Sequence, residues 1–183
     1  MMRNVQQRVI AAPANAVGRV IDELATPESS AWPSPSWPPL VLDNGLQPGS
    51  SGGHGPIRYS VTSHEPGRHV VLTFAPSCGL DGWHELRVTP ESDDETRLVH
   101  TISATTTGRM RWLWPLVVRW FHEALVHDLF DNAERRVTGT PVAEPARWSP
   151  WVRLMRRVRA RRSADASLAD PGHPGPRTDG TGP

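Results

Sequence analysis

The sequence predicts an α+β domain in which an antiparallel sheet is covered on one face by a long C-terminal helix. Two observations carry this. From His54 to Thr106 four consecutive segments alternate apolar and polar residues and are separated by turn-forming stretches, the pattern of half-buried antiparallel strands. From Trp112 to Val137 apolar residues recur at three- and four-residue intervals. No other segment is long enough to cover a sheet with one greasy face.

The elements follow in chain order. Val5 to Ala11 alternates, with Val5, Gln7, Val9 and Ala11 on one side, and reads as a strand with one buried face. Pro13 suits a first helical turn, and Val17, Val20, Ile21 and Leu24 then share one side of a short helix. Thr26 to Pro56 carries Pro27, Pro33, Pro35, Pro38, Pro39 and Pro48 and a Gly/Ser cluster from Gly49 to Gly55. Such a segment holds no long helix or central strand. Its two large aromatics, Trp32 and Trp37, are expected to pack down as a rim or lid over the sheet. The Gly49–Gly55 stretch precedes a strand and no helix, so it is read as a turn or hinge and not as a phosphate loop.

Within the meander, the simplest register sets Ile57, Tyr59 and Val61 opposite Phe74, Leu72 and Val70. Those three face His84, Leu86 and Val88, which in turn face His100, Leu98 and Thr96. Side chains alternate between faces along a strand, so one register fixes every row at once. Two of the rows are apolar apart from Thr96; the third sets His84 beside His100.

Gly108 breaks the chain after the meander and Pro115 offers a helix start. Leu113, Val117, Phe121, Ala124, Leu125, Ala133 and Val137 form the expected inner stripe, with Arg119, Glu123, Asp131, Glu134 and Arg135 in water. Gly139 and Pro141 end the helix. Residues 149–162 read as a further small helix, with Ser149 as N-cap, Pro150 at the first helical position, and Trp151, Leu154, Met155 and Val158 on one side. From Ser163 onward the Ala, Asp, Gly and Pro composition reads as a disordered tail.

Composition excludes several chemistries. All 20 basic side chains other than histidine are arginine, so no lysine Schiff base, P-loop lysine or lysine general base can form. The single cysteine, Cys78, permits no internal disulfide and sits in a polar loop without an adjacent base. No Gly-x-Ser-x-Gly elbow occurs. His122 and His127 superficially resemble a zinc-protease pair. However, histidines five apart on a helix point about 140° from one another and cannot share one metal. No metal and no cofactor is therefore expected. Met1 to Ile10 lacks the apolar core of a signal peptide, and Trp112 to Val118 is far short of a membrane span, which gives a cytoplasmic expectation.

Charge is unevenly distributed. Residues 1–146 hold 12 arginines against 16 carboxylates, and residues 147–183 hold 8 against 3. A basic amphipathic arm of this kind suits an anionic membrane surface through Trp151, Arg153, Arg156, Arg157, Arg159, Arg161 and Arg162. It equally suits a plain helix with its arginines in water. Nothing in it reads bases, so nucleic acid is not an expected partner.

His84 and His100 are the one hint of chemistry. As cross-strand neighbours their Cβ atoms would lie about 5 Å apart, and buried imidazoles favour the neutral form, with one donor and one acceptor each. Such a pair can orient a carbonyl or phenol or pass a proton. It can equally be a hydrogen-bonded core pair. His122, at the edge of the helix stripe, is placed to approach the same row or to pack. Tyr59, the only tyrosine, lies in an inward row where its hydroxyl needs a partner.

Short motifs add a resemblance. Val9-Ile10-Ala11-Ala12-Pro13-Ala14 leads into Val20-Ile21-Asp22. Gly53-His54-Gly55-Pro56-Ile57-Arg58-Tyr59 and Glu65-Pro66-Gly67-Arg68 look like a first hairpin, and Thr96-Arg97-Leu98-Val99-His100-Thr101 like a last strand. With this element order, residues 3–140 resemble the START and birch-allergen-like helix-grip superfamily, in particular its polyketide cyclase/dehydrase and lipid-transport branch. The chain after Gly139 and the proline content of residues 32–39 depart from that pattern.

The resemblance implies a curved sheet wrapped around the long helix and a cavity for a hydrophobic small molecule such as a lipid, isoprenoid or polyketide. Taken with the inward rows and helix stripe above, it makes Ile57, Tyr59, Phe74, His84, His100, Phe121 and His122 the expected contacts, with Trp32 and Trp37 at the mouth. It leaves open a carrier, a cyclase/dehydratase using His84 and His100, and a lipid-handling factor peripheral to a membrane. The expected organisation is a ligand-binding domain over 1–140, a linker and basic helix over 141–162, and a tail over 163–183.

Overall fold

The computed structural model describes residues 1–26 and 29–158. The described residues divide into two compact units, Met1–Arg147 and a second that begins at Trp148. In the first, strand β1 (Met2–Ile10) and helix α1 (Ala14–Asp22) are followed by β2 (Leu40–Leu42) and β3 (Ser51–His54). The meander β4 (Ile57–Glu65), β5 (His69–Phe74), β6 (Leu80–Pro90) and β7 (Thr96–Thr106) comes next. The strands form one curved antiparallel sheet in the order β1-β7-β6-β5-β4-β3-β2. The long helical segment then runs as α2 (Met110–Leu113), a π-helical turn (Trp114–Val118) and α3 (Arg119–Thr138). Gly139, at φ 68°, closes α3 by donating its N–H to the Arg135 carbonyl, a left-handed position that a glycine occupies without strain.

The predicted inward rows face inward, but each hairpin is slid by two residues. Tyr59 faces Phe74 and Val61 faces Leu72; Val70 and Leu72 face Leu86 and His84; Leu86 and Val88 face His100 and Leu98. The loops set these offsets. Pro66–Arg68 joins the pair Glu65↔His69, and Glu91–Glu95 joins Pro90↔Thr96. A shift of two keeps every side chain on its face, because the strand period is two. A bulge between Val61 and Ser63 further displaces the end of β4.

Four other expectations are corrected. On β1 the side carrying Val5 and Val9 is the exposed one, at 42% and 45%. The inner row is Asn4, Gln6 and Arg8, ending in buried Ile10. That polar row is matched by α3: Asn4 donates to Glu123, and Arg8 pairs with both Asp131 and Glu134. Asp131 is accordingly buried rather than solvated, while Leu113, expected inside, is exposed. Finally, the glycine cluster is not only a turn: Ser51–His54 forms β3, pairing with both β2 and β4.

The core between sheet and helices centres on Phe130, Ile10, Leu98, Ile102 and Val17, all fully buried, each contributing about 1.5–3 kcal/mol by leaving water. α1 supplies Val17, Val20 and Ile21. It is held to the β4–β5 turn by Asp22, whose carboxylate accepts from Gly67 N at 2.8 and 3.0 Å and contacts His64 Nε2 at 3.0 Å. Gly18 permits that approach, since a Cβ there would lie 2.4 Å from the Gly67 carbonyl oxygen.

In the second unit residues 150–158 are helical. Ser149 caps them, its hydroxyl accepting the Val152 N–H at 3.2 Å. The side carrying Trp151, Leu154 and Val158 is exposed, and Val152 is the buried residue, so the expected stripe is corrected by one position. The Arg156 guanidinium lies 4.3 Å from the Trp148 ring centre. Arg159, Arg161, Arg162 and the predicted tail from Ser163 lie outside the described residues.

Candidate functional site: a row of imidazoles across the sheet

One line of rings crosses the inner side of the sheet, each placed by a different element. His54 on β3 sits directly opposite Ile57, because Gly55-Pro56 makes the tight turn between them. Its Nδ1 is hydrogen-bonded to the Tyr59 hydroxyl at 3.0 Å. The Tyr59 ring meets His84 edge-on at 4.9 Å, and Phe74 of β5 stacks on His84 at 4.9 Å and 12°. His84 Nδ1 lies 3.3 Å from His100 Nε2. His100 is in turn 4.8 Å from the His122 ring on α3, and Trp114 closes the row 6.2 Å beyond.

His84 and His100 are diagonal neighbours, not directly opposed: His84 pairs with Ile102 and His100 with Leu86. The imidazoles span the diagonal because β-strand side chains two residues apart on one face remain within reach of long rings.

Electrostatically the row is neutral. Burial holds His84, His100 and His122 well below the ordinary value of 6.5, and nearby histidines push each of them further in the same direction. No arginine or carboxylate acts appreciably on any of the three among the described residues. His54 is lowered to about 4 by burial first and the Arg58 charge second. Burial likewise pushes the Tyr59 phenol up, so it stays protonated.

The row is not fully hydrogen-bonded among the described residues. Four buried side-chain polar atoms lack a partner among the described residues, and three of them are His84 Nε2, His100 Nδ1 and His122 Nδ1. Each such atom costs about 1–3 kcal/mol if left unpaired, so three together on one wall mark a polar spot in an apolar setting. Among the described residues no group of three or more His, Cys, Asp or Glu is arranged to hold a metal ion.

Of the remaining predicted contacts, Ile57 is half-buried and shares the face of Tyr59. Phe121, also half-buried, meets the edge of Trp37 at 6.1 Å. Trp37 itself is buried and donates its indole N–H to Asp128 at 2.7 Å. Trp32 donates to the Pro38 carbonyl at 2.9 Å, and its ring lies 5.2 Å from His54. The proline-rich segment is thus tied to α3 at one tryptophan and to the histidine row at the other. His54 was not among the sequence-derived site residues. The signal for it was the two-residue Gly55-Pro56 turn, which forces His54 onto the face of Ile57 and Tyr59.

No family model matches the chain, and no curated protein does. Solved structures do. The crystal structure of CalU16 from Micromonospora echinospora is similar with a TM-score of 0.53 at 21% identity, covering 92% of this chain and 89% of that one. Norcoclaurine synthase from Thalictrum flavum, in complex with dopamine and hydroxybenzaldehyde, gives 0.58 at 11% identity over 77% and 88%. A protein from Thermobifida fusca gives 0.55 at 16% over 74% and 95%. These likenesses, with the seven-stranded sheet order and the long helix packed against it, show that the chain has a helix-grip fold.

Proposed function

We propose that this protein binds a hydrophobic small molecule, such as a lipid, isoprenoid or polyketide, between the inner face of the sheet and α3. Ile57, Tyr59, Phe74, His84, His100, Phe121 and His122 make the contacts, and Trp32 and Trp37 cover the approach. The observation that carries the reading is the set of three buried imidazole nitrogens that have no partner among the described residues, on an otherwise apolar wall. A ligand with polar atoms completes those hydrogen bonds while its frame removes apolar surface from water. The norcoclaurine synthase complex supports it, since the same fold there accommodates two small aromatic molecules.

Native mass spectrometry of freshly purified protein tests this. A co-purified mass that is released on denaturation is expected. A bare protein that also fails to bind a hydrophobic fluorescent dye would overturn the reading.

A second reading, a cyclase/dehydratase, is favoured by the direct His84–His100 hydrogen bond. Two neutral imidazoles in contact can accept a proton at one end and release one at the other. The readings separate on His84→Gln: an enzyme loses turnover while still binding product, whereas a carrier keeps its ligand with no pH-dependent chemistry near neutrality.

A third reading places the protein at an anionic membrane surface through the basic helix, where Trp151 and Leu154 are exposed beside Arg153 and Arg157. Deleting residues 147–183 should then abolish sedimentation with anionic liposomes, and unchanged sedimentation removes the idea. No helix among the described residues is long and apolar enough to cross a membrane.

A further inference from the structure

The partnerless nitrogens say more about the ligand than that it has polar atoms. A neutral imidazole has one N–H and one lone pair. In the His84–His100 contact one nitrogen donates and the other accepts. If His84 Nδ1 donates, then His84 Nε2 is a bare acceptor and His100 Nδ1 carries a proton. If His100 Nε2 donates, the two outer nitrogens exchange roles. In either tautomer the pair offers one donor and one acceptor, and both of those atoms are buried without a partner among the described residues.

Among the described residues no arginine or carboxylate acts appreciably on His84 or His100. Arg8 is engaged by Asp131 and Glu134. Arg58 is exposed, and its guanidinium donates to the Gly55 and Ile57 carbonyls at 2.7 and 3.1 Å. An ionised ligand against His84 and His100 would surrender its water with no counterion to replace it, a penalty of several kcal/mol. An anion could recruit a proton onto an imidazole, but only against the burial that keeps these rings neutral. The surroundings are flat as well as uncharged, with Phe74 stacked on His84 and Tyr59 at its edge.

We propose that the His84–His100 pair selects an uncharged ligand with a flat, ring-containing frame bearing one hydrogen-bond donor and one acceptor, in chemical class a hydroxyaryl ketone, and excludes the matching carboxylate. This rests on the binding reading above, and it adds the charge of the occupant and the hydrogen-bond complement it turns to the His84–His100 pair.

Four two-ring probes of similar size separate the terms: 2-acetyl-6-hydroxynaphthalene, 2-acetylnaphthalene, 2-naphthol and 6-hydroxy-2-naphthoate. Binding to the full chain is measured by calorimetry at pH 7. The hydroxy ketone should bind tightest, by about tenfold or more over the carboxylate and by several-fold over either single-function probe. The double variant His84→Leu/His100→Leu, if it folds, should lose the preference for the hydroxy ketone while still binding 2-acetylnaphthalene. The wild-type series stands without the variant. Carboxylate binding equal to or tighter than that of the hydroxy ketone overturns the selectivity and leaves the binding reading in place. Failure of all four probes to bind overturns this inference, and the binding reading falls with it only if the purified protein also carries no co-purified mass and binds no hydrophobic dye.

Discussion

His84 and His100 touch at 3.3 Å across a diagonal of the β6–β7 ladder, each lying directly opposite an aliphatic residue, Ile102 for the first and Leu86 for the second. The contact is therefore made by the rings and not imposed by backbone pairing, and either ring can be removed without disturbing the register.

That independence makes the pair suitable for a double-mutant cycle. His84→Leu leaves His100 Nε2 buried without a partner, and His100→Leu does the same to His84 Nδ1. Each single variant should lose about 1–3 kcal/mol of unfolding free energy. The double variant removes both polar groups from an apolar wall and should lose clearly less than the sum, with a coupling of about 1 kcal/mol or more. Urea unfolding of the four proteins measures this, and strict additivity would show that the two rings do not interact.

Buried neutral histidines also shape stability against pH. His84 and His100 are held well below 6.5 in the folded chain, so the unfolded chain binds protons that the native chain refuses. Stability is complete above pH 6.5 and falls as pH drops below it, by up to about 1.4 kcal/mol per pH unit for each ring. One unit below 6.5 the pair should remove about 3 kcal/mol, with His122 and His54 adding to it. Denaturant melts at pH 7.5 and 5.5 test this. The His84→Leu/His100→Leu protein should show a shallower slope, and an equal slope in both proteins would place the proton uptake elsewhere.

How much of this was legible in the sequence divides along physical lines. Alternation assigns faces, so His84, His100, Tyr59 and Phe74 could be placed on one side of the sheet without coordinates. The offset along the strands depends on how many residues each loop consumes, and Pro66–Arg68 and Glu91–Glu95 each left that number open by two. β1 misled for a different reason. Its apolar residues Val5 and Val9 point outward from an edge strand, while Asn4 and Arg8 point inward because Glu123, Asp131 and Glu134 wait for them on α3. A polar inner row is readable only when its partners, more than a hundred residues away, are known.

Gly18 offers a test of the α1 contact. On propensity alone, Gly18→Ala inside α1 should stabilise the protein by about 1 kcal/mol. The added Cβ would lie 2.4 Å from the Gly67 oxygen and 2.6 Å from its Cα, and a backbone turn cannot yield as a flexible side-chain tip does. Overpacking of this kind costs about 1–3 kcal/mol, and moving the turn also loosens the Asp22 contacts with Gly67 and His64. Set against the propensity gain, this leaves an expected net loss of about 1 kcal/mol. A raised melting temperature would mean that α1 does not approach the turn so closely.

The ion pair between β1 and α3 supplies the last test. Arg8 Nη1 contacts Asp131 Oδ1, and Asp131 Oδ2 accepts the Ala146 N–H at 2.7 Å. Arg8→Met removes the cation and leaves the buried Asp131 carboxylate without its counter-charge, which should cost about 3–5 kcal/mol. Glu134, less deeply buried, can turn its carboxylate to water. Adding Asp131→Asn removes the orphaned charge but keeps an oxygen for the Ala146 N–H, so the double variant should recover a substantial part of the loss. Asp131→Asn alone should cost less than Arg8→Met, because Arg8 retains Glu134 at 3.0 Å. Thermal and urea unfolding of the three variants decides the matter: if Arg8→Met is as stable as the parent protein, the pair contributes nothing and the polar inner row of β1 is held by Asn4 and Glu123 instead.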